Sequence, residues 1–223
     1  MEITKFTDFI LFETPLPADW DKEVYTKNVS FKKKIEYAIA RAEKIGSGSS
    51  RIAFEIEYKG RPTILKIAKN PKGLAQNKEE ADILSDNSVS SICIPIIDYD
   101  EDNDEPIWLH CEKADKATAA KLCKAMCVPD LQTLVLAANG NGNAMQARMS
   151  DSARAEIENF NADNDAKLEI AYEYIDELAE LAANFNVELG DFKRPANWGF
   201  YKGEPVVIDV GFTEYTKLKY YSK

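Results

Sequence analysis

Residues 52–58 alternate between apolar and polar side chains, and this two-residue period constrains the fold more than any other feature of the chain. The apolar positions are Ile52, Phe54, Ile56 and Tyr58. A turn-forming run at residues 59–62 follows, and it leads into a second apolar run at residues 63–67. Two such runs joined by a short glycine-containing turn are typical of a β-hairpin. We therefore expect a sheet built around this hairpin.

The rest of the first half fits a sheet that carries one helix. A helical stretch ending at residues 81–84 follows the turn at residues 70–73. Two more strands are predicted at residues 92–99 and 106–111, and an acidic turn at residues 100–105 separates them. Residues 1–44 are predicted to be an extension whose helix begins near Ser30.

The second half has a mostly helical pattern. The helical segments are residues 117–127, 131–138 and 168–185. In the last segment an apolar stripe is formed by Ile170, Ala171, Tyr174, Leu178 and Leu181. Polar, turn-rich residues flank a segment within residues 139–165, which we expect to be mobile or to dock on another surface. Short strands at residues 198–201 and 205–208 are predicted near the end.

Composition excludes several classes of protein. The 223 residues are 45% apolar with 10 Gly and 9 Pro, which indicates a folded core. The net charge of −10 argues against binding to nucleic acid phosphates or anionic lipid, and no apolar run is long enough to span a membrane. No signal peptide is recognisable, so we expect a cytoplasmic protein. The four cysteines and His110 do not form a zinc-binding pattern.

Gly46, Ser47 and Gly48 stand between the first two predicted strands. Glycines at such a place let backbone N–H groups approach phosphate oxygens that a Cβ atom would hold away. A plain hairpin turn is the alternative interpretation of the same residues.

Lys66 lies in the middle of an apolar strand, and Glu80 lies on the helix that follows. The lysine either extends outward into solvent or points into a cleft. If it points inward, Glu80 could hold its ammonium group for contact with a phosphate. The alternative is that Glu80 is an ordinary exposed helical glutamate.

Two acids and an amide follow the last long helix: Asp191, Asn197 and Asp209. A loop and a predicted β-hairpin bring them together. Oxygen ligands of this kind suit Mg²⁺, and one carboxylate would stay free to accept a proton. These residues therefore predict a site for a metal-bound polyphosphate.

Taken in order, these pieces resemble the protein kinase-like superfamily, including its aminoglycoside and small-molecule phosphotransferase branches. The resemblance extends over residues 45–211. It implies an α+β, two-lobed protein kinase-like fold with an antiparallel sheet in the N-lobe and a reduced, mainly helical C-lobe. The implied divisions are an extension at residues 1–44, an N-lobe at 45–113 and a C-lobe at 114–223.

The resemblance also implies a role for each site residue. Gly46, Ser47 and Gly48 look like the loop that covers the phosphates, and Lys66 with Glu80 looks like the ion pair behind them. Glu112 and Ala114 belong to a stretch that resembles the hinge at the adenine, with Cys111 behind it. Asp191 is similar to the catalytic aspartate and Lys193 to the lysine that neutralises the transferred phosphoryl group. Asn197 and Asp209 are similar to the Mg²⁺ ligands.

The sequence departs from the family pattern at three residues and in one spacing. Leu189 stands where the family usually has His or Tyr, Arg51 replaces the third glycine of the loop, and Val210 replaces a Phe. The step from Asp191 to Asn197 is one residue longer than usual, so the loop bulges or its register shifts.

The chain ends 12 residues after Gly211, so we expect the peptide-binding helices of protein kinases to be missing. Kinase-like chains of this length are associated with bacteriophage and mobile-element genomes.

Three functions are consistent with these features. The first is an ATP- and Mg²⁺-dependent phosphotransferase that acts on a hydroxyl group of an unidentified protein or small molecule. The second is a catalytically weak or inactive kinase-like protein that docks a partner. The third, an acidic mimic of nucleic acid, rests on the net charge alone.

Overall fold

The computed structural model describes residues 30–86, 91–140 and 143–221. The predicted α+β class is confirmed, because an antiparallel sheet occupies the first half and helices dominate the second. The proposed extension lies partly outside the described residues, since its first 29 positions are not among them. Its predicted helix does begin after Ser30, whose side chain caps helix α1, Phe31–Ile39.

A five-stranded sheet forms the first half, in the order β1-β2-β3-β5-β4 with every neighbouring pair antiparallel. The strands are β1 (Glu43–Ser47), β2 (Arg51–Tyr58), β3 (Arg61–Ala68), β4 (Ile96–Tyr99) and β5 (Trp108–Glu112). The predicted hairpin is β2–β3. Its two-residue turn has Lys59 at φ 52° and Gly60 at φ 75°, and this left-handed pair suits the twist of a hairpin.

The two faces of the sheet are covered differently. One face buries Phe54, Leu65 and Trp108, and helix α1 packs on it through Ile35 and Ala38. The other face carries helix α2, Pro71–Leu84, whose N-cap is Asn70. The lysine of β3 is on this second face, where α2 presents buried polar side chains: Gln76, Asn77 and Glu80.

The predicted strand at residues 92–99 is only partly correct. Residues 96–99 join the sheet as β4, but the backbone of Ile92 and Ile94 hydrogen-bonds to Val207. This short stretch therefore links the first half to the β-structure near the end of the chain. The segment lies in the interior, with Ile92 and Ile94 almost fully buried.

Four helices form the core of the second half: α3 (Ala119–Ala125), α4 (Leu131–Ala138), α5 (Ala144–Phe160) and α6 (Asp165–Phe185). Helix α6 buries Ala171, Ile175, Leu178 and Leu181. Ile170 of the predicted stripe is 37% exposed, since the buried face is rotated by part of a turn. The segment expected to be mobile or to dock on another surface is mostly helix α5, which Asn143 caps and which packs through Ser150, Ala153 and Ile157.

A second, three-stranded sheet has the order β6-β7-β8, with β6 before the four helices and β7 and β8 after them. Its strands are β6 (Asp115–Lys116), β7 (Trp198–Tyr201) and β8 (Glu204–Val207). Helix α7, Glu214–Tyr220, then contacts α2, and Tyr221 completes the contact. The Tyr221 ring lies 3.2 Å from the Lys72 ammonium nitrogen. Within the described part of the chain, no helix has the length and hydrophobicity needed to cross a bilayer.

Candidate functional site

Lys66 points into the space between the two halves of the molecule. Strand β3 is paired on both sides at this residue, with Ala53 of β2 and Leu109 of β5. The Lys66 ammonium nitrogen donates hydrogen bonds to the Glu80 carboxylate and, at 2.5 Å, to the backbone carbonyl of Ile208. Only 12% of the side chain is exposed, so the outward-pointing alternative is wrong.

Glu80 is fully buried on helix α2. One carboxylate oxygen accepts from Lys66 and the other accepts from Arg51. A buried carboxylate is tolerated only when its charge and lone pairs are satisfied, and here two cations satisfy them. The interpretation of Glu80 as an ordinary surface residue is therefore wrong.

Lys66, Glu80, Arg51 and Asp209 form a cluster of charged side chains. Arg51, the first residue of β2, is the member of this cluster that the sequence did not predict. Its guanidinium donates to Glu80, to the Asn77 side-chain oxygen at 3.3 Å, and to the Asp209 carboxylate. Only 9% of its side chain is exposed. Burial acts to lower the pKa of Arg51, but Asp209 and Glu80 outweigh burial and raise it. Arg51 is therefore a permanently charged group within the cluster.

Asp209 follows strand β8 and is 41% exposed in its side chain. Burial of its carboxyl group acts to raise its pKa, whereas Arg51 and Lys66 lower it by a larger amount. A backbone hydrogen bond from Gly211 acts in the same direction. Asp209 is thus held as a carboxylate at the junction of the two halves.

The loop that carries Asp191 and Asn197 contains two short 3-10 helices, Leu189–Lys193 and Pro195–Asn197. The Asn197 side-chain nitrogen donates to the Asp191 carbonyl oxygen at 2.9 Å. The Ile208 N–H donates to the Asn197 carbonyl at 2.9 Å, which ties this loop to the strand end that carries Asp209. These two hydrogen bonds hold Asn197 beside Asp191 and beside the strand end that precedes Asp209.

The same loop is braced without the histidine or tyrosine of the family pattern. Leu189 is only 5% exposed and packs in the helical core. The Trp198 indole N–H donates to the Phe192 carbonyl at 2.8 Å, and the two rings make an edge-to-face contact. Apolar packing and one buried hydrogen bond thus hold the loop.

Asp191 and Lys193 differ in their surroundings. Burial raises the pKa of the Asp191 carboxyl above its usual value, and the nearby Asp209 charge adds to the effect, while Arg194 opposes it. Arg194 lies 3.2 Å from the Asp191 carboxylate. Lys193 is exposed and makes no hydrogen bond or ion pair within the described residues, so the structure does not join it to the cluster.

The prediction that Gly46, Ser47 and Gly48 stand between the first two strands is only partly correct, because Gly46 and Ser47 end strand β1 and pair with Ala53 and Ile52 of β2, and Gly48 alone lies in the turn. A Cβ atom at Gly46 would meet nothing within 4 Å, and one at Gly48 would meet only the Arg51 carbonyl oxygen at 3.8 Å. The Lys69 ammonium group donates to the Ser47 hydroxyl at 3.2 Å and to the Gly48 carbonyl at 2.6 Å. Lys69, the residue after β3, thus holds the β1–β2 turn, and neither glycine is needed to avoid a clash.

Glu112 and Ala114 lie where the first sheet connects to the second. The Glu112 side chain forms an ion pair with Arg61, and its backbone N–H donates to the Pro95 carbonyl at 3.0 Å. A Cβ atom on Gly199 would lie 2.5 Å from the Ala114 Cβ, so only glycine permits β7 to approach here. Cys111 is fully buried, and burial raises the pKa of its thiol to about 12.

The oxygen atoms near the cluster are of the type that Mg²⁺ prefers. Asn197 uses its side-chain nitrogen on Asp191, which leaves its side-chain oxygen as an acceptor. The Asp209 carboxylate is the second donor, and it is already paired with Arg51. In the described residues no three His, Cys, Asp or Glu side chains gather as a metal site. The donor set therefore fits a divalent ion in kind, and one of its two side chains, Asp209, is paired with Arg51.

No family model and no curated protein matches the sequence. Among solved structures, the chain is similar to APH(2")-IIa in its ternary complex with streptomycin and ATP. The identity is 17% over 86% of this chain and 71% of that one, with a TM-score of 0.37. It is also similar to a thermostable mutant of aminoglycoside phosphotransferase APH(4)-Ia with AMP-PNP and hygromycin B. Here the identity is 17% over 81% and 70% of the two chains, with a TM-score of 0.36.

Proposed function

We propose that the protein is a kinase-like phosphotransferase that uses ATP and Mg²⁺ to phosphorylate a hydroxyl group. The observation that carries the proposal is the convergence of Lys66 and Glu80 from the sheet half with Asp209 from the other half. Asn197 and Asp191 adjoin them through the hydrogen bond from Ile208. A lysine, a metal-binding oxygen pair and a proton-accepting carboxylate at one junction are the parts that phosphoryl transfer requires.

The nucleotide is proposed to lie between the sheet and the second half. Lys66, held by Glu80, would contact the phosphates, and Gly46 at the end of β1 and Gly48 in the turn would let the backbone approach them. Backbone groups between Glu112 and Ala114 would hold the adenine. Asn197 and Asp209 would hold the metal ion, which when bound neutralises phosphate charge.

Asp191 is proposed to orient the acceptor hydroxyl and to accept its proton. The bond from the acceptor oxygen to the γ-phosphorus forms while the bond from that phosphorus to the ADP oxygen breaks. The raised pKa of Asp191 suits a group that takes up a proton during the reaction. Lys193 is exposed, and it would reach the transferred phosphoryl group from the solvent side.

The acceptor is proposed to approach from a cavity of about 600 Å³ beside the loop that carries Asp191 and Asn197. Leu189 and Gly190, which directly precede Asp191, form part of its wall together with Glu188, Glu214 and Lys217. Its polar lining suits a small, polar, hydroxyl-bearing molecule in the cytoplasm.

A second candidate is a partner-binding protein with little or no catalytic activity. The ion pair between Arg51 and Asp209 favours it, because a carboxylate already paired with a guanidinium is a weaker metal ligand. Met145 and Met149 on α5 are 71% and 41% exposed, and such flexible apolar side chains suit a docking surface.

Thermal melting with ATP, with and without Mg²⁺, tests the proposed function. A ligand at about a hundred times its Kd adds about 2.7 kcal/mol of stability, so a clear rise in Tm is expected. Lys66→Met should abolish the rise. Lys78→Met, on the exposed side of the same helix as Glu80, should retain it.

A labelled-ATP transfer assay then separates the two candidates. A rise in Tm together with transfer to a metabolite or protein supports the phosphotransferase. A rise in Tm without any transfer supports the binding protein. Absence of any rise in Tm contradicts nucleotide binding in both.

A further inference from the structure

Four charged side chains alternate in sign across the junction: Lys66, Glu80, Arg51 and Asp209. Lys66 and Arg51 share the Glu80 carboxylate, and Arg51 alone extends the series to Asp209. The four charges sum to zero without any bound ion. Asp209 is therefore already neutralised by a group that belongs to the chain.

Arg51 is held in this position by more than its charge. It begins strand β2 directly after the β1–β2 turn, and Gly48 N–H donates to its backbone carbonyl at 2.9 Å. Asn77, which accepts from the guanidinium, is itself fully buried and fixed by hydrogen bonds to the Pro106 and Ile107 carbonyls at 3.0 Å. Because its partners are fixed, the guanidinium is preorganised beside Asp209.

We infer that Arg51 is an internal cation that competes with a divalent metal ion for Asp209. The inference rests on the proposed function for the assignment of Asp209 as a metal ligand. A metal ion at this carboxylate would lie beside the guanidinium, and two like charges on one acceptor group repel each other. The ion can therefore bind tightly only when Arg51 leaves Asp209, and Arg51 sets how strongly the site depends on metal concentration.

Binding of Mn²⁺ alone, followed by the electron paramagnetic resonance signal of the free ion, tests this inference without nucleotide or transfer activity. Arg51→Gln should bind Mn²⁺ about tenfold more tightly than the wild-type protein, as is typical of a coupled pair of sites. Arg61→Gln is the matched control, because Arg61 is an exposed sheet arginine paired with Glu112. It should bind Mn²⁺ like the wild type.

The double variant Arg51→Gln with Asp209→Asn tests whether a gain in Mn²⁺ affinity depends on Asp209. The gain should disappear in this variant if Arg51 and the ion compete for that carboxylate. Equal Mn²⁺ affinity in the wild type and Arg51→Gln overturns the inference, and so does a gain that survives in the double variant.

A measurement on the wild-type protein covers the case in which Arg51→Gln does not fold. The guanidinium ¹⁵N resonances of Arg51, assigned by their loss in Arg51→Lys, should shift as Mg²⁺ is titrated. Resonances that stay unmoved throughout the titration overturn the inference.

Failure of the proposed function gives a different result. A protein that transfers no phosphate, but gains Mn²⁺ affinity in Arg51→Gln through Asp209, disproves the function and supports the competition. A protein that transfers phosphate with equal Mn²⁺ affinity in both forms supports the function and overturns the competition.

Discussion

Lys66 and Ile208 are 142 residues apart in the sequence, yet the lysine ammonium nitrogen lies 2.5 Å from the Ile208 carbonyl oxygen. This hydrogen bond joins the central strand of the large sheet to the residue directly before Asp209. Because Lys66 also pairs with Glu80, one side chain connects strand β3, helix α2 and the segment after β8. The position of Asp209 relative to the sheet is therefore fixed by direct bonds.

Replacing Glu80 should destabilise the protein strongly. Glu80→Gln keeps the size of the side chain but removes the carboxylate paired with buried Lys66 and leaves Arg51 with Asp209 alone. Breaking a buried ion pair in this way costs about 3–5 kcal/mol. Urea unfolding should show this loss, whereas Glu79→Gln at the neighbouring position should change the free energy of unfolding little. Equal losses in the two variants would contradict the ion-pair cluster.

Two glycines are required because helix α2 approaches other backbone segments closely. A Cβ atom at Gly73 would lie 2.2 Å from the Ser50 carbonyl oxygen, and one at Gly211 would lie 2.4 Å from the Gln76 carbonyl oxygen. Gly73→Ala and Gly211→Ala should each cost about 1–3 kcal/mol, since backbone must move in both cases. Thermal melting measures the loss.

Gly46→Ala is the matched control for these glycines, because the added methyl group meets nothing within 4 Å. Its free energy of unfolding should stay within about 0.5 kcal/mol of the wild type. If the loop contacts phosphate, ATP affinity should nevertheless fall in Gly46→Ala. A large loss of stability in Gly46→Ala would contradict the open surroundings described for Gly46 in β1.

The Arg51–Asp209 ion pair should give stability that depends on acid pH. Burial acts to raise the pKa of Asp209, but Arg51 and Lys66 hold it below its unfolded value of about 3.9. The stabilisation is therefore complete above about pH 4 and is lost as the pH falls through the lower pKa of the folded state.

Urea unfolding between pH 7 and pH 3 measures this effect. The difference in unfolding free energy between the wild type and Asp209→Asn should shrink below about pH 4. Asp82→Asn, at an exposed carboxylate on α2, serves as the control. A difference that stays constant with pH would contradict the ion pair.

His110 should make the protein less stable in weak acid. It is fully buried, and its side-chain nitrogen Nε2 lies 2.7 Å from the Thr63 hydroxyl oxygen. Burial and the nearby Arg61 charge lower its pKa to about 4, against about 6.5 when unfolded. Stability is therefore complete above about pH 6.5 and falls toward pH 4, by about 3 kcal/mol.

His110 is the only histidine in the chain, so one substitution tests this expectation. His110→Gln should remove most of the loss measured by urea unfolding between pH 6.5 and pH 4. If His110→Gln loses the same amount of stability between pH 6.5 and pH 4 as the wild type, the loss comes from the carboxyl groups instead.

Local patterns in the sequence predicted much of the fold. Alternation predicted the β2–β3 hairpin, and the composition of residues 131–138 predicted helix α4. The same reasoning misjudged residues 92–94, which pair with Val207 rather than with the large sheet. Helix α5 was not predicted within the segment expected to be mobile or to dock: its capping by Asn143 is a local feature, but its packing on α4 depends on neighbours that no local pattern contains.

The residues of the candidate site were also predicted only in part. The order of Lys66, Glu80, Asp191, Asn197 and Asp209 allowed these residues to be predicted as one group. Arg51 was noticed only as a departure from a glycine pattern, because its partner Asp209 is 158 residues away. The one signal in the sequence that pointed to Arg51 was that an arginine stands where the pattern has a glycine.

By itself the sequence determined most of the strands and helices, among them the β2–β3 hairpin and helices α4 and α6, since period and capping residues act over a few positions. Only the tertiary structure decided that Lys66 points inward, that Glu80 is fully buried and that Arg51 neutralises Asp209. The reason is that burying a charge is favourable only when opposite charges from distant segments arrive at the same place.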